Sequence, residues 1–265
     1  MTAKAEGGVA ARLGGVVART WGAGRPLVLL HGGMGSWNHW TRNIEALAAR
    51  FKVIALDLPG CGDSDSVARE IPDDEYVALV ADAVESAAAG SPVNLAGFSF
   101  GGITSALVAA RLGGRMRKLC LVSPGGFGQG NVLDLRKIPP DEAGLPAVRA
   151  VLKHNLQVMM CADPGAVTEE TIDLHYSNYK RVRFDGRRFS LSNRMAETLR
   201  RIACPVQTIW GERDALPRPD VYARIAVCRA VVPGIGVEVV PGAGHWVQYE
   251  APAAVNRVMT DFFGT

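Results

Sequence analysis

The sequence predicts an α/β fold in which a mostly parallel central sheet is flanked by helices and carries an inserted helical lid. Short apolar runs alternate with amphipathic helical stretches along the chain. Most of these runs are continuously apolar, as strands buried on both faces require. About 80 residues between the fourth and fifth runs contain helix-like pieces but no convincing core strand. At 265 residues, the chain is long enough for one core domain with an insert.

The strands follow from the apolar runs taken in chain order. An antiparallel edge strand is expected at residues 14–21. The buried strands are predicted at residues 26–30, 53–57, 93–97, 118–123, 206–210 and 237–240.

The helices are placed by amphipathic spacing and by residues that start or stop a helix. One is expected at 37–50 after an N-cap at Ser36, and another at 74–89 closed by Gly90. Two more are expected at 99–112, closed by Gly113, and at 252–263, with Pro252 in the first turn.

The domain boundaries follow from these elements. The core domain is expected to comprise residues 1–124 and 204–265, and the lid residues 125–203. Because no Ser/Gly-rich linker separates the two, we expect the lid to pack on the core rather than to swing on a tether.

Composition limits the partners and the compartment. The 29 basic and 26 acidic side chains leave a net charge of +3, too small to indicate nucleic-acid binding. Five scattered cysteines without a C-x-x-C pair indicate neither a disulfide framework nor a zinc site, and reduced thiols favour a cytoplasmic protein. The N-terminal 20 residues lack the apolar core of a signal peptide, and no apolar run is long enough to span a membrane. We expect no cofactor and no metal, and either a monomer or a homodimer.

The clearest local signal is the G-x-S-x-G pattern from Gly97 to Gly101, centred on Ser99. It lies between a predicted strand and a predicted helix, where small neighbours permit a tight, strained turn that exposes the serine hydroxyl. The alternative is a glycine-rich turn whose serine only caps the helix.

A serine nucleophile needs a base and a group that orients the base, and both follow in the expected order. Asp214 comes just after the strand at 206–210, and His245 lies in the loop after the strand at 237–240. The predicted catalytic residues are therefore Ser99, Asp214 and His245. Glu212 is the rival to Asp214, whose other interpretation is a surface turn aspartate.

The glycine-rich loop after the first buried strand predicts backbone donors for a developing oxyanion. Gly33 is the first candidate, and the N–H of Phe100, directly after the nucleophile, is its expected partner. The alternatives are an ordinary strand-to-helix loop or, less well supported, a phosphate cradle, for which neither glycine motif is complete. We interpret His31 as a residue that shapes the loop rather than as a general base.

Together, the segments HGGMGSW, DLPGCGDS, GFSFGG, WGERD and GAGHW resemble the α/β-hydrolase superfamily. The resemblance spans nearly the whole chain outside the lid. In that family the segment 57–64 forms a structural turn, and no catalytic role is assigned to it here.

Residues 31–44 and 245–256, with Trp246 directly after the histidine, are similar to bacterial carbon–carbon hydrolases that cleave vinylogous diketones. Those enzymes usually have Asn before the nucleophile, where this chain has Phe98. Related carboxylesterases, lactonases and perhydrolases share the same motifs. Aromatic and apolar residues around the motif loops are expected to contact the substrate, namely Met34, Trp37, Phe98 and Trp246.

Between Lys180 and Arg201 the lid has eight basic side chains and two acidic ones. The cluster either binds a substrate carboxylate, with Arg181, Arg183, Arg187 and Arg188 as the candidates, or forms a solvated surface with ion pairs to the core.

The expected function is hydrolysis of a small carboxylic ester or related acyl substrate through an acyl-enzyme. The same residues allow carbon–carbon bond hydrolysis as the alternative. An acyltransferase would use the same acyl-enzyme, whereas a non-catalytic receptor on this fold would be expected to have a broken triad.

Overall fold

The computed structural model describes residues 8–265, and within them eight strands form one sheet. The expectation about a signal peptide rests partly on residues 1–7, which lie outside the described residues. The strands are β1 Val9–Leu13, β2 Val16–Trp21, β3 Pro26–Leu30, β4 Lys52–Asp57, β5 Val93–Phe98, β6 Met116–Val122, β7 Val206–Gly211 and β8 Gly236–Val240.

The spatial order of the strands is β1-β2-β4-β3-β5-β6-β7-β8. Strands β3 to β8 are parallel to one another, whereas β2 pairs antiparallel with both β1 and β4. This arrangement confirms the predicted α/β class with a mostly parallel sheet.

The antiparallel edge is a hairpin of two strands rather than the one strand predicted at 14–21. Gly14, at φ 62°, lies in the turn between β1 and β2. Four of the five residues of β1 are exposed, so this strand has none of the apolar pattern that marked the others.

Ten α-helices occur in the described part of the chain. They are α1 Ile44–Ala48, α2 Asp73–Ala88, α3 Phe100–Leu112, α4 Leu145–Asn155, α5 Glu169–Tyr179, α6 Arg187–Ser190, α7 Met195–Arg200, α8 Val221–Val231, α9 Val247–Glu250 and α10 Pro252–Gly264.

The single helix predicted at 37–50 was wrong. A 3₁₀ turn at Trp37–Trp40 is followed by the separate short helix α1. Ser36 makes no capping bond, because its hydroxyl donates to Asn178 Oδ1 of α5 at 2.9 Å. The side chain that was expected to start a helix instead joins this segment to the residues beyond β6.

Two apolar layers cover the two faces of the sheet. Along β3, Val28 and Leu30 pack with residues of α2, α3 and α8, whereas Leu27 and Leu29 pack with residues of α1 and α10. This alternation is the period-two pattern of a strand buried on both faces.

Helices α4 to α7 lie between β6 and β7, in the region predicted to form the lid, and residues 125–203 contain no strand. We call residues 125–203 the insert. Phe184 and Phe189 of the insert pack on Tyr76 of α2, the former with ring centroids 4.3 Å apart. The insert therefore shares apolar contacts with the core.

Within residues 8–265, no helix combines the length and the hydropathy needed to cross a membrane. All five cysteines are among the described residues and are free thiols.

Candidate active site

Ser99 occupies a tight turn between β5 and α3. Its backbone, at φ 54° and ψ −111°, lies in a region that non-glycine residues rarely adopt. A Cβ at Gly97 would collide with the carbonyl oxygen of Gly101, and a Cβ at Gly101 would collide with that of His31. Both glycines of the motif are therefore needed for the turn to close against the neighbouring backbone.

Ser99, His245 and Asp214 form a continuous hydrogen-bonded chain. His245 Nε2 lies 2.9 Å from Ser99 Oγ, and His245 Nδ1 lies 2.8 Å from Asp214 Oδ2. Because a carboxylate only accepts, Nδ1 donates its proton to Asp214, and Nε2 is left to accept from the serine hydroxyl. The other oxygen of Asp214 accepts from the Leu216 N–H at 3.0 Å. The imidazole is thus oriented to remove a proton from Ser99.

The rival carboxylate, Glu212, lies elsewhere. Its Oε2 accepts from the Gly242 N–H at 3.0 Å and makes no bond to the imidazole. The side chain of Asp214, in contrast, is fully buried beside His245.

The loops that hold Asp214 and His245 follow the adjacent strands β7 and β8. A Cβ at Gly211 would collide with the carbonyl oxygen of Gly244, so this glycine allows the two loops to touch. Since the carboxyl ends of parallel strands share one edge of the sheet, both side chains reach the turn after β5.

The insert contacts the histidine loop through backbone and carboxylate bonds. The Trp246 N–H donates to the carbonyl of Met160 at 2.7 Å. Glu250 accepts from the Gly244 N–H at 2.6 Å and from the Asp163 N–H at 3.0 Å. His245 is therefore flanked by residues that are bonded to the insert.

Gly33 and Phe100 are neighbours, as the predicted pair of backbone donors requires. A Cβ at Gly33 would lie 3.9 Å from Phe100 Cβ. Phe100 is the first residue of α3, where backbone N–H groups have no partner inside the helix. Neither N–H donates to another described residue. The two donors and the positive end of the helix dipole lie where an anion could be stabilised.

The steric need for glycine in this loop is greatest on either side of Gly33. A Cβ at Gly32 would lie 2.8 Å from the Phe98 ring, and one at Gly35 would collide with the His39 ring.

His31 Nε2 accepts from the Leu58 N–H at 2.9 Å, and its Nδ1 is bonded to the Gly32 carbonyl. His31 thus shapes the loop, and burial lowers its pKa.

A cavity of about 720 Å³ extends from the Gly33 end of the site into the insert. This volume is typical of small-molecule sites. Apolar side chains of the core loop and of the insert make up much of the wall, among them Met34, Ile138, Leu152, Leu156, Met159 and Met160.

Of the four predicted substrate contacts, only Met34 lines this cavity. Trp37 packs against Trp21 at a centroid distance of 5.4 Å. Phe98 and Trp246 are fully buried, and the Trp246 indole stacks on Tyr249. These three aromatic side chains belong to the apolar layer that also includes Leu27 and Leu29.

Two buried histidines, His39 and His175, were missed in the sequence analysis. Their rings are nearly parallel, with centroids 6.4 Å apart. His39 Nδ1 accepts from the Gly32 N–H at 3.2 Å, and His175 lines the cavity. Burial lowers the pKa of His39 well below its usual value and that of His175 to about 4. Both rings are therefore uncharged at neutral pH, and isolated histidines on a helix carry no sequence signal that would reveal this.

Most of the arginines predicted as carboxylate candidates are bound by the core. Arg181 pairs with Asp63 at 3.0 Å, and Arg188 pairs with Asp73 at 2.9 Å. Arg183 donates to the carbonyl of Ser64 and to other backbone and hydroxyl oxygens. Arg187 pairs with Asp185 at 2.6 Å. The ion-paired surface is the interpretation that these contacts favour.

The model of the alpha/beta hydrolase family matches residues 27–258. Among curated proteins, the chain is 34% identical over 250 residues to the dihydrolipoyllysine-residue acetyltransferase component of the acetoin cleaving system of Pseudomonas putida. That alignment covers 90% of this chain but only 63% of the longer relative. A 2-hydroxy-6-oxo-6-phenylhexa-2,4-dienoate hydrolase of Burkholderia cepacia is 29% identical, with 91% of this chain and 88% of the relative covered.

Solved structures show the same fold. A carboxylesterase from Bacillus subtilis has a TM-score of 0.74 at 22% identity, with 97% of this chain and 91% of that chain covered. A serine hydrolase involved in carbazole degradation has a TM-score of 0.75 at 19% identity, with 97% and 98% covered. With the family match over most of the chain, these findings lead to one conclusion: the chain is a hydrolase that belongs to the alpha/beta hydrolase family.

Proposed function

We propose that this protein is a serine hydrolase that cleaves a small carboxylic ester through an acyl-enzyme formed on Ser99. The observation that carries the proposal is the unbroken chain from Ser99 Oγ through His245 to the buried carboxylate of Asp214, with bonds of 2.9 and 2.8 Å. A nucleophile within reach of a base whose tautomer is fixed by a third group is the arrangement that activates serine.

In the proposed first step, Ser99 Oγ attacks the ester carbonyl while His245 Nε2 takes the hydroxyl proton. The negative charge on the carbonyl oxygen is stabilised by the N–H groups of Gly33 and Phe100, each of which contributes about 3 kcal/mol in comparable sites. As the tetrahedral intermediate collapses, the C–O bond to the alcohol breaks, and His245 gives its proton to the leaving oxygen. The alcohol departs and the acyl group stays on Ser99.

In the second step, water replaces the alcohol. His245 removes a proton from water, the hydroxide adds to the acyl carbonyl, and the bond to Ser99 Oγ breaks as that oxygen regains its proton. The products are the carboxylic acid and free Ser99. Asp214 stabilises the imidazolium in both steps and stays ionised.

The surroundings of the nucleophile support an uncharged reacting end of the substrate. Phe98 packs against the His245 ring with centroids 5.1 Å apart, and the nearby His39 and His175 are uncharged at neutral pH. We further propose that the insert acts as the lid, because Met159 and Met160 wall the cavity and the Met160 carbonyl bonds to Trp246.

The second candidate is hydrolysis of a carbon–carbon bond in a vinylogous diketone by the same residues. The observation that favours it is the group of relatives named as hydrolases of 2-hydroxy-6-oxo-dienoates, including the one from Burkholderia cepacia, of whose length the chain covers 88%. Phe98 is an argument against carbon–carbon hydrolysis, because this side chain offers no hydrogen bond next to the nucleophile.

A comparison of kcat/KM for short p-nitrophenyl acyl esters and for a 2-hydroxy-6-oxo-dienoate tests the proposal, with folded Ser99→Ala as the blank for both. We expect the esters to be preferred. A preference for the dienoate would replace the ester proposal by carbon–carbon hydrolysis, and wild-type turnover by Ser99→Ala would refute both.

A further inference from the structure

Some of the charged side chains that line the cavity are paired with protein groups, and others are not. Among the described residues, its wall includes four cationic side chains, Arg136, Lys137, Arg183 and Arg187, and one carboxylate, Asp185. The Asp185 carboxylate is engaged by Arg187 through Nε and Nη2 at 2.9 and 2.6 Å. The Arg183 guanidinium donates hydrogen bonds to backbone carbonyls and to a hydroxyl.

Arg136 and Lys137 remain. Among the side chains and backbone groups that the structure describes, neither cation has an acceptor, and both are exposed at the rim of the cavity. Two adjacent cations with no partner in the described part of the protein are available to a ligand.

Both cations belong to residues 130–140, a stretch without regular secondary structure that we call the strap. The Arg136 N–H donates to Asn155 Oδ1, and Asn155 Nδ2 donates to the Arg136 carbonyl, each at 2.8 Å. The ring of His154 bonds to the Asp134 carbonyl at 2.7 Å. Two consecutive residues at the end of α4 thus fix the strap on both sides of Leu135.

The other end of the strap is fixed beside the catalytic loops. Asn131 Nδ2 donates to the carbonyl of Pro217 at 2.7 Å, and the Asn131 N–H donates to that of Leu216 at 3.0 Å. The Leu216 N–H in turn donates to Asp214. Because the strap is held at residues 131, 134 and 136, the backbone at Arg136 and next to Lys137 is positioned before a ligand arrives, which lowers the entropic cost of binding.

The cavity wall therefore combines three chemically different surfaces. Gly33 and Met34 belong to the loop that neighbours Phe100, Leu152 and Leu156 provide apolar wall, and the strap brings positive charge. A ligand that matches these surfaces has an ester carbonyl, an apolar chain and a terminal anion.

We propose that the cavity selects acyl substrates whose far end carries a carboxylate, which Arg136 and Lys137 bind. This inference rests on the proposed ester hydrolysis and names its substrate class. Guanidinium and ammonium groups both donate charge-assisted hydrogen bonds to carboxylates, and because both cations are exposed, dissolved salt screens their attraction for an anion.

The test compares two esters of the same chain length, mono-p-nitrophenyl adipate and its methyl ester, which differ in the terminal charge. We expect the wild type to prefer the carboxylate by about tenfold in kcat/KM, the equivalent of about 1.4 kcal/mol. The preference should decrease as ionic strength rises. The corresponding succinate and suberate pairs show which chain length reaches the strap.

Arg136→Gln and Lys137→Gln should each reduce the carboxylate-to-methyl-ester ratio, and the double variant should bring it close to one. Lys153→Gln is the matched control, since Lys153 is an exposed cation of α4 that does not line the cavity. This variant should keep the wild-type ratio.

A ratio near one in the wild type, with both esters hydrolysed, would overturn the carboxylate proposal and leave the ester hydrolase intact. A wild-type ratio that survives in the double variant, or that falls equally in Lys153→Gln, would also overturn it. If neither ester in any of the three pairs is hydrolysed, the ester hydrolase proposal fails and this inference fails with it.

Discussion

At the scale of single residues, the site depends on a few positions whose conformation or charge is unusual. Ser99 has a positive φ, and the glycines around it are surrounded by backbone. The carboxylate of Asp214 is fully buried. Glu212, two residues earlier, makes no hydrogen bond to His245 and bonds instead to the Gly242 N–H. The G-x-S-x-G pattern and the chain order predicted these three residues, and the structure places His245 within hydrogen-bond distance of both Ser99 and Asp214.

Gly32→Ala should be more damaging than Gly33→Ala. A methyl group at position 32 would lie 2.8 Å from the Phe98 ring and 3.3 Å from Ser99 Cβ, whereas at position 33 its nearest neighbour would be 3.9 Å away. We expect Gly32→Ala to lose about 1–3 kcal/mol of unfolding free energy through overpacking, and Gly33→Ala to lose less than 1 kcal/mol. Urea unfolding of both variants measures the difference, and equal losses would contradict this packing.

His175 makes the stability of the protein depend on pH. Its pKa is about 4 in the folded protein, below the value of 6.5 expected in the unfolded chain. The unfolded state therefore binds more protons between these values, so the contribution of His175 is complete above pH 6.5 and decreases as the pH falls towards 4. Its loss between pH 7.5 and pH 5 amounts to about 2 kcal/mol.

His175→Gln should accordingly have a shallower decline in unfolding free energy from pH 7.5 to pH 5 than the wild type. His154→Gln, at the end of α4, serves as the control histidine. The residual slope of His175→Gln is expected from His31 and His39, whose pKa values are also lowered by burial. An unchanged slope in His175→Gln would show that this ring is not the group that titrates.

At the scale of elements, continuous apolar runs were reliable predictors and amphipathic segments less so. The buried strands were found within two residues of their expected bounds because burial on both faces leaves an unambiguous pattern. The helix expected at 37–50 was interrupted because its polar residues bond across the fold: Asn38 and Ser36 both reach Asn178. Such long-range bonds leave no local trace in the sequence.

Glu250 links the loop of His245 to the insert, and the proposed mechanism needs this loop to stay in place. Its carboxylate accepts from Gly244, beside His245, and from Asp163 of the insert. We expect Glu250→Ala to lower kcat for a p-nitrophenyl ester by about tenfold with a smaller change in KM, since losing a charge-assisted bond costs about 1.5–3 kcal/mol of positioning.

Glu250→Gln keeps one acceptor oxygen and should recover part of this loss, which a purely structural defect would not predict. Glu238→Ala is the control. Glu238 lies on β8 and forms a long ion pair with Arg257, at 3.5 Å. If KM rises while kcat stays at the wild-type value in Glu250→Ala, then the hydrogen bonds of Glu250 to Gly244 and Asp163 do not position His245.

At the scale of the whole molecule, the insert is attached to the core by apolar contacts and by ion pairs with acidic residues. Asp73 at the start of α2 pairs with Arg188 and Arg194 at 2.9 and 2.7 Å. The excess of basic residues between Lys180 and Arg201 was evident in the sequence, but their partners were not, because pairing depends on how the insert folds over the core.

Asp73→Asn should weaken this attachment modestly. The three side chains are 24%, 36% and 48% exposed, so water screens the pairs and we expect a loss of about 1 kcal/mol or less. The loss should shrink at high salt. Asp74→Asn is a matched control in the same helical turn, because Asp74 is exposed and forms no ion pair with any described residue. Equal losses in both variants would indicate an effect of the helix dipole instead.

Acylation of Ser99 is the central claim, and its most direct test is to trap the acyl-enzyme. The protein is mixed with p-nitrophenyl butyrate, quenched in acid during the first turnover and digested, and the peptides are analysed by mass spectrometry. We expect a butyryl group on the peptide that contains Ser99, and neither adduct nor turnover in folded Ser99→Ala. A butyryl group on a different residue, or wild-type turnover by the Ser99→Ala variant, would contradict the mechanism.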